Sequence, residues 1–186
     1  MNKPRNFYKN TYHHIYNRGV SKQIIFPGTE SYYYFLKRLR YYKNKYKIEL
    51  FAYCLMPNHF HLFVRQLTNE YSISSFISSL LNSYTKGINK CFDRTGTLFE
   101  GKIKSKQIVE ETYFRWVIKY ILENPVKAGL AVDIIDWEFS NARDLLGLRK
   151  GSLIDSEKVI TYFQNEDQMK EFLRDPIIKM NYSLEH

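Results

Sequence analysis

Apolar and polar side chains alternate along the chain in patterns that predict several strands. Residues 11–17 are rich in aromatic and β-favouring types and stop just before an Arg-Gly pair, which predicts a first strand and a turn. Residues 48–56 and 59–65 are apolar, aromatic runs separated by Pro57-Asn58, a turn signal. The two runs therefore predict an antiparallel hairpin, and we expect this hairpin to be central to a sheet.

Helical spacing of apolar residues marks two longer segments. Thr29 follows a Pro-Gly pair and is a candidate cap for a helix in which Phe35, Leu36 and Leu39 share one face. Residues 71–91 repeat apolar side chains with a period of about 3.6 residues, which predicts a second helix. Each helix would have one apolar face to pack on the sheet.

The region after the second helix predicts one more strand and one more helix. Residues 98–109 form a strand-like passage through Gly101. Lysines alternate on one face of this passage, at Lys102, Lys104 and Lys106. Acidic residues open a third helix at 112–123, which we expect to end because Asn124 precedes Pro125.

Strands and helices mixed around one hairpin predict an α+β fold. We expect a ferredoxin-like antiparallel sheet of four to five strands with helices packed on it, in one domain over residues 1–147. Two shorter helical patterns, at 159–163 and 169–173, predict a helical C-terminal extension over 148–183. Residues 184–186 resemble the start of a purification tag and are expected to play no part in the fold.

Charge and aromatic content favour a polyanionic partner. The 186 residues include 28 Lys plus Arg against 19 Asp plus Glu, a net charge of +9, and 44% of them are hydrophobic, enough for one core. The 16 Tyr and 13 Phe are often interleaved with basic residues, and aromatic rings commonly stack on unpaired bases. Nucleic acid is the first candidate partner, although basic charge also serves solubility and most of the rings must lie in the core.

Cysteine usage and hydropathy indicate a cytoplasmic protein. Cys54 and Cys91 are the only cysteines and form no CxxC motif, which fits a reducing compartment better than a disulfide framework. No stretch approaches the run of about 18 apolar residues typical of a membrane span. We therefore expect a soluble protein with no membrane partner.

The most suggestive chemistry in the sequence is a His-x-His pair. His59 and His61 lie in a predicted strand, where alternate side chains project from one face, so both imidazoles can converge on one ion while Phe60 enters the core. With five histidines in the chain, such a pair has a chance likelihood of roughly one in ten. The pair needs partners before it indicates a metal site.

Further site residues for the His pair can be sought on helices, because residues i and i+4 share a face and could present a nucleophile and a metal ligand together. Tyr84 and Tyr113 have aliphatic residues at that position, whereas Tyr120 has Asn124. This spacing favours Tyr120 as a nucleophile and Asn124 as a ligand. The alternatives stay open: Tyr120 as a core aromatic, and Asn124 as a residue that only ends a helix.

An Asn oxygen and two neutral imidazoles would leave coordination sites open for a phosphate oxygen, which suits Mg²⁺ or Mn²⁺. Tyr120 could then attack phosphorus. A phenol with a pKa of about 10 is mostly protonated at neutral pH, so the site must activate it. The metal, a basic group such as Lys119 or Lys127, and a general base are all open as the source of activation.

Several motifs together resemble one known family. The run 53–64, Tyr-Cys-Leu-Met-Pro-Asn-His-Phe-His-Leu-Phe-Val, closely resembles the HUH region (His, hydrophobic, His) of the REP-associated tyrosine transposases, relatives of the single-tyrosine insertion-sequence transposases. Matching segments follow the family's order and together cover roughly residues 11–147: 17–20, 94–102, 120–130 and 137–140.

The resemblance implies a function and a set of site residues. It implies that Tyr120 forms a 5′-phosphotyrosine link and that His59, His61 and Asn124 bind the metal. The substrate would be single-stranded DNA near a hairpin, cut and rejoined without ATP.

Four basic residues are candidate DNA contacts, with ordinary solvated charges as the alternative: Arg18, Arg94, Lys102 and Lys104. Related insertion-sequence enzymes are often dimers with shared active sites, so a homodimer is one expected assembly, although REP-associated members need not dimerise.

Two other functions are weighed against this one. A domesticated module could still bind hairpin DNA or RNA with little catalytic use, although the complete set of His59, His61, Tyr120 and Asn124 argues against that. A phosphodiesterase could instead use a metal-bound water, but no additional Asp or His cluster is visible in the sequence. His14, on the first strand, could line the site or be a structural histidine.

Overall fold

A four-stranded antiparallel sheet forms the centre of the protein. The computed structural model describes residues 7–175. The strands are β1 (Tyr12–Arg18), β2 (Ile48–Met56), β3 (His59–Gln66) and β4 (Lys104–Ile108). Their order across the sheet is β2-β3-β1-β4, and every neighbouring pair is antiparallel. With one helix between β1 and β2 and one between β3 and β4, this is the predicted ferredoxin-like α+β fold.

Helices cover both faces of the sheet. They are α1 (Thr29–Lys45), α2 (Ile73–Cys91), α3 (Glu111–Lys127), α4 (Ala142–Leu145), α5 (Ser156–Ile160) and α6 (Glu166–Arg174). Phe35 of α1 packs on Phe60 of β3, whereas Phe114 of α3 packs on Phe63 of the same strand. Because residues 60 and 63 point to opposite faces of β3, α1 and α3 lie on opposite sides. None of the helices within residues 7–175 combines the length and apolar content that crossing a bilayer needs.

The predicted hairpin exists, but it is not wholly central. β2 and β3 pair directly, yet β2 forms one edge of the sheet while β3 and β1 lie inside. The outer side of β2 is covered by a returning loop: the Leu55 amide donates to the Phe139 carbonyl (2.9 Å) and the Tyr53 amide to the Asn141 side chain (2.7 Å). This cover explains why an edge strand is buried along its whole length and, apart from Glu49, has the apolar sequence typical of a central strand.

Two predicted boundaries are wrong. Thr29 is the first residue of α1 rather than its cap, and the Ser31 hydroxyl donates instead to the Gly28 carbonyl (2.6 Å). The predicted strand over 98–109 is confined to β4, because Gly101 takes a positive φ of 53° that interrupts the extended backbone.

The third helix and the tail also differ from the sequence predictions. α3 continues through Pro125 and ends at Lys127, four residues beyond the predicted end at Glu123. In the extension, α5 begins three residues earlier than the predicted pattern at 159–163, and α6 encloses the predicted 169–173. Residues 176–183 and the predicted tag remnant at 184–186 lie outside the described residues.

Two glycines test how closely the chain packs, Gly19 directly after β1 and Gly87 within α2. A Cβ added at Gly19 would lie 2.2 Å from the Gln23 carbonyl oxygen, whereas the nearest atom to one added at Gly87 is the Tyr34 hydroxyl oxygen, at 2.5 Å. Backbone cannot move aside cheaply, but the end of a partly buried side chain can. We therefore expect Gly19→Ala to lower the free energy of unfolding by about 1–3 kcal/mol.

The matched variant Gly87→Ala should change the free energy of unfolding by less than about 1 kcal/mol, because the helix propensity of Ala offsets the displacement of Tyr34. Urea titration of both variants measures the difference. Equal losses in the two variants would contradict the close backbone approach at Gly19.

Candidate active site

The register of the sheet assembles one row of polar side chains beneath α3. Tyr16 on β1 lies directly opposite His61 on β3 and opposite Lys104 on β4. One step along, Arg18 lies opposite His59. Cross-strand partners share a face, so these five side chains point to the same side of the sheet.

His61 is a buried, neutral imidazole in which one of the two ring nitrogens makes a hydrogen bond. Its Nδ1 lies 2.9 Å from Nε2 of His14, while its own Nε2 is buried and has no hydrogen-bond partner among residues 7–175. Burial, with the charges of His14 and His59 as smaller causes, holds the pKa of His61 well below its usual value. Burial and then Lys106 lower the pKa of His14 to about 3. Both rings are therefore neutral at physiological pH, the form that binds metals.

The hydrogen bond between His14 and His61 suits metal binding in one of its two tautomers. If His61 Nδ1–H donates to His14 Nε2, the buried His61 Nε2 carries a lone pair that a cation would satisfy. That arrangement leaves the buried Nδ1–H of His14 without an acceptor among the described residues, and the opposite arrangement leaves the N–H at His61 Nε2 without one, so hydrogen bonding alone favours neither. A cation at His61 Nε2 would select the first arrangement, in which His14 would orient the ligand.

His59 completes the pair at the end of the same strand. Its ring centroid lies 5.1 Å from that of His61, with the two rings nearly perpendicular at 88°. Nδ1 of His59 lies 2.7 Å from the side-chain oxygen of Asn58, which can only accept, so Nδ1 is the protonated nitrogen. This assignment makes Nε2 the nitrogen suited to a metal.

Tyr120 lies beside the histidines of its own chain. Its ring centroid is 5.8 Å from the ring of His61 and 5.8 Å from the ring of His14, and both contacts are edge-on. α3 packs over β2, β3 and β4, and this brings the tyrosine over the polar row. One chain therefore unites the predicted nucleophile with the predicted ligand pair.

Of the two lysines considered for activating Tyr120, the structure places Lys127 against the tyrosine and Lys119 elsewhere. Lys127 lies over the Tyr120 ring, with Nζ 4.9 Å from its centroid, and forms an ion pair with Glu123 (2.9 Å). The ammonium of Lys119 donates instead to the carbonyls of Phe172 (2.5 Å) and Asp175 (3.0 Å) in the C-terminal extension. Lys127 is the lysine in contact with the tyrosine.

Asn124 explains why α3 continues past its proline. Pro125 has no N–H to donate to the Ile121 carbonyl, and the Asn124 side-chain amide nitrogen approaches that carbonyl (3.4 Å) and donates to the Tyr120 carbonyl (2.8 Å). The helix can therefore pass the proline. Because the nitrogen faces the backbone, the side-chain oxygen, the atom a metal needs, occupies the other branch.

An open cleft of about 640 Å³ adjoins the histidine pair. Four basic residues line it: Arg18, Lys22, Lys102 and Lys104. Arg18 is ion-paired with Glu100, another lining residue. Arg94 does not line the cleft, and its guanidinium donates to the Gln23 side chain (3.0 Å).

Sequence reasoning did not find every residue around the site. Tyr16 lines the cleft and stacks on His61 at 5.7 Å, and Lys22 and Glu100 line it as well. Strand alternation could have placed Tyr16 on the face of His14, but the register with β3 was needed to bring it to His61. Within residues 7–175, no three His, Cys, Asp or Glu side chains are grouped to hold a metal ion, so a third protein ligand would be of another type, such as an amide oxygen.

Comparison with known proteins gives a family match and similar solved structures. The family model described as "Transposase IS200 like" matches residues 6–124. A solved structure of a REP-associated tyrosine transposase bound to a REP hairpin is 20% identical and has a TM-score of 0.66, with 83% of this chain and 94% of that chain covered. A putative transposase from Deinococcus radiodurans R1 is 24% identical, with a TM-score of 0.44 and coverage of 67% and 97%. No curated protein matches the chain.

The orientation of the Asn124 side chain can be tested without metal or DNA. In Asn124→Asp, a carboxylate oxygen replaces the nitrogen that faces the Tyr120 carbonyl, so a donated hydrogen bond becomes a repulsive contact. We expect the free energy of unfolding at neutral pH, with chelator present, to fall by about 1–3 kcal/mol.

Asn82→Asp provides the control, because Asn82 is exposed on α2 and the same substitution there should change stability by about 0.5 kcal/mol or less. If the two variants lose stability equally, the amide of Asn124 does not donate to the helix backbone.

Proposed function

The chain belongs to the IS200-like transposase family, and from that membership we propose that it is a metal-dependent single-stranded DNA endonuclease and strand transferase. It would cleave and rejoin DNA near hairpins through a 5′-phosphotyrosine intermediate. The observation that carries the proposal is the buried Nε2 of His61, which has no hydrogen-bond partner in the described part of the chain, in a ring beside that of Tyr120. The hairpin substrate is suggested by the hairpin-bound relative of the same fold.

A divalent ion, Mg²⁺ or Mn²⁺, would be held by His59, His61 and Asn124. Bound there, it would supply positive charge that polarises a scissile phosphate. The neutral imidazole of His61 and the Asn124 amide, whose nitrogen is engaged by the backbone and whose oxygen is not, support this ligand set. Two nitrogens and one oxygen leave positions for DNA and water around the ion.

Tyr120 would act as the nucleophile. Its phenol oxygen forms a bond to phosphorus as the bond between phosphorus and the 3′ oxygen breaks, and the phenol proton leaves while the 3′ oxygen gains one. The 5′ phosphate is then linked to the protein, and a free 3′ hydroxyl can reverse the exchange on the same or another strand. The phosphodiester energy is conserved, so no nucleotide cofactor is needed.

Lys127 is suited to assist the tyrosine. A cation beside a phenol stabilises the phenolate that forms as the proton leaves. Glu123 holds the Lys127 ammonium through an ion pair one helical turn away, which keeps it over the ring of Tyr120. Lys119 is engaged elsewhere and is not proposed for this role.

The basic lining of the cleft supports a DNA path past the histidines. Arg18, Lys102 and Lys104 remain the proposed contacts within it, while Arg94 would contact DNA only outside the cleft. A homodimer remains a proposal, since the site is assembled within one chain. Two free thiols, Cys54 and Cys91, fit work in the reducing cytoplasm.

The proposed nucleophile is tested by trapping covalent protein–DNA adducts. Labelled single strands carrying hairpins are incubated with Mg²⁺ or Mn²⁺, and adducts are separated on a denaturing gel. Wild type should form the adduct and Tyr120→Phe should lose it, because the attacking oxygen is gone. Tyr113→Phe, on the same helix, and Tyr16→Phe, whose ring also contacts His61, should keep it.

Each other outcome points to a different function. An adduct with Tyr120→Phe that is lost in Tyr16→Phe would make Tyr16 the nucleophile. Cleavage without an adduct would favour a metal-bound water. Tight hairpin binding with no cleavage under either metal would support a binding module.

The proposed metal site is tested by Mn²⁺ affinity, measured by electron paramagnetic resonance on DNA-free protein. His59→Ala should abolish specific binding, and a variant that still cleaves normally would remove the metal proposal. His14→Phe keeps the ring volume but removes the partner of His61, so the Kd should rise about 10–100-fold. His13→Gln should match wild type, because His13 points to the other face of β1 and bonds Ser105 (3.2 Å).

A further inference from the structure

The C-terminal extension, residues 156–175, packs against the helix that carries Tyr120. Trp116 of α3 contacts Phe172 of α6 edge-on, with ring centroids 4.9 Å apart. Phe114 of α3 stacks on Tyr162 at 3.7 Å while its ring also meets Phe63 of the sheet. α3 is therefore held between the sheet and the extension.

Lys119 provides the polar part of this contact. The residue is 3% exposed, and its ammonium donates to the Phe172 and Asp175 carbonyls at 2.5 and 3.0 Å. Nζ also lies 4.9 Å from the centroid of the Phe172 ring. A buried ammonium is costly unless it is hydrogen-bonded, so these acceptors are what allow a lysine at this position.

The acceptors belong to the end of a helix that needs donors. The last four carbonyls of a helix lack intrahelical N–H partners, and Phe172 is among the last four residues of α6. This end also carries the negative pole of the helix dipole, which favours a cation. The side chain of Lys119 therefore caps α6 from a neighbouring helix and ties the two helices together.

A second attachment lies near the start of α3. The Tyr162 hydroxyl is 2.7 Å from the hydroxyl of Tyr12 on β1, and the Tyr162 ring covers Phe114. Residues 114 and 119 are separated by about 7.5 Å along the helix axis. Attachment at both points restrains rotation of α3 as well as sliding along its axis.

We propose that Lys119 is a positioning residue that, by anchoring α3 to the extension, holds the adjacent Tyr120 against His61. The inference rests on the proposed function, in which the Tyr120 phenol must meet a phosphate beside the histidines. Consecutive helical residues point about 100° apart, so Lys119 can hold the outer side of α3 while Tyr120 faces the sheet. A displacement of about 1 Å at a reacting group can cost about 100-fold in rate.

The test compares Lys119→Met with a matched variant on the other side of the sheet. Lys119→Met keeps an unbranched chain but cannot donate to the two carbonyls. At saturating hairpin DNA with Mn²⁺, adduct formation in a single turnover should slow by about tenfold or more, while the Kd for the hairpin stays unchanged. Lys119→Arg, which can still donate, should recover part of the rate.

Tyr84→Phe is the matched control, because it removes a buried hydrogen bond to the Ile25 carbonyl (2.6 Å) without touching α3. It should lower stability yet retain the wild-type rate at saturation. If Tyr84→Phe slows the reaction as much as Lys119→Met does, general destabilisation explains both, and the positioning role is wrong. A wild-type rate in Lys119→Met would also overturn it.

Amide hydrogen exchange of α3 separates this inference from the proposed function. Lys119→Met should accelerate exchange in residues 116–127, whereas Tyr84→Phe should not. If wild type forms no adduct but this difference in exchange is observed, the function fails and the anchoring of α3 stands. If wild type forms the adduct and exchange is the same in both variants, the anchoring fails.

Discussion

The antiparallel register between β1 and β3 is the constraint on which the site depends. It sets Tyr16 opposite His61 and Arg18 opposite His59, and through β4 it adds Lys104 to the same row. A shift of β1 by one residue would turn Tyr16 and Arg18 to the face opposite His61 and His59. That face is filled by Ile15, Phe60 and Leu62, which are fully buried, so the apolar core under α1 and α2 holds the register that the polar face uses.

Burial then sets the protonation state of His61. His61 is almost fully enclosed, and the cost of charging it there keeps the ring neutral. His14 occupies one of its nitrogens, and the other has no partner among residues 7–175. A buried nitrogen in that state beside a tyrosine supports the proposed cation site more strongly than the His-x-His spacing did.

Periodicity predicted the elements, and side-chain contacts decided their ends. The alternation of His59, Phe60 and His61 was enough to place two rings on one face and one in the core, as the structure shows. Asn124 before a proline indicated a helix end, but its own amide covers the exposed carbonyls and the helix continues. No periodicity could place Lys119 under α6, because that contact joins residues more than 50 positions apart.

The connection between β4 and α3 explains how one chain brings Tyr120 to His61. Only residues 109 and 110 separate Ile108 from Glu111, and two residues span at most about 7 Å. With so short a connection, α3 must turn back over the sheet to which β4 belongs, and its apolar face packs on Phe63 and β2. The extension then covers the outer side of α3. The meeting of Tyr120 with His61 therefore follows from the topology of a single subunit, and a second subunit would not be needed to complete it.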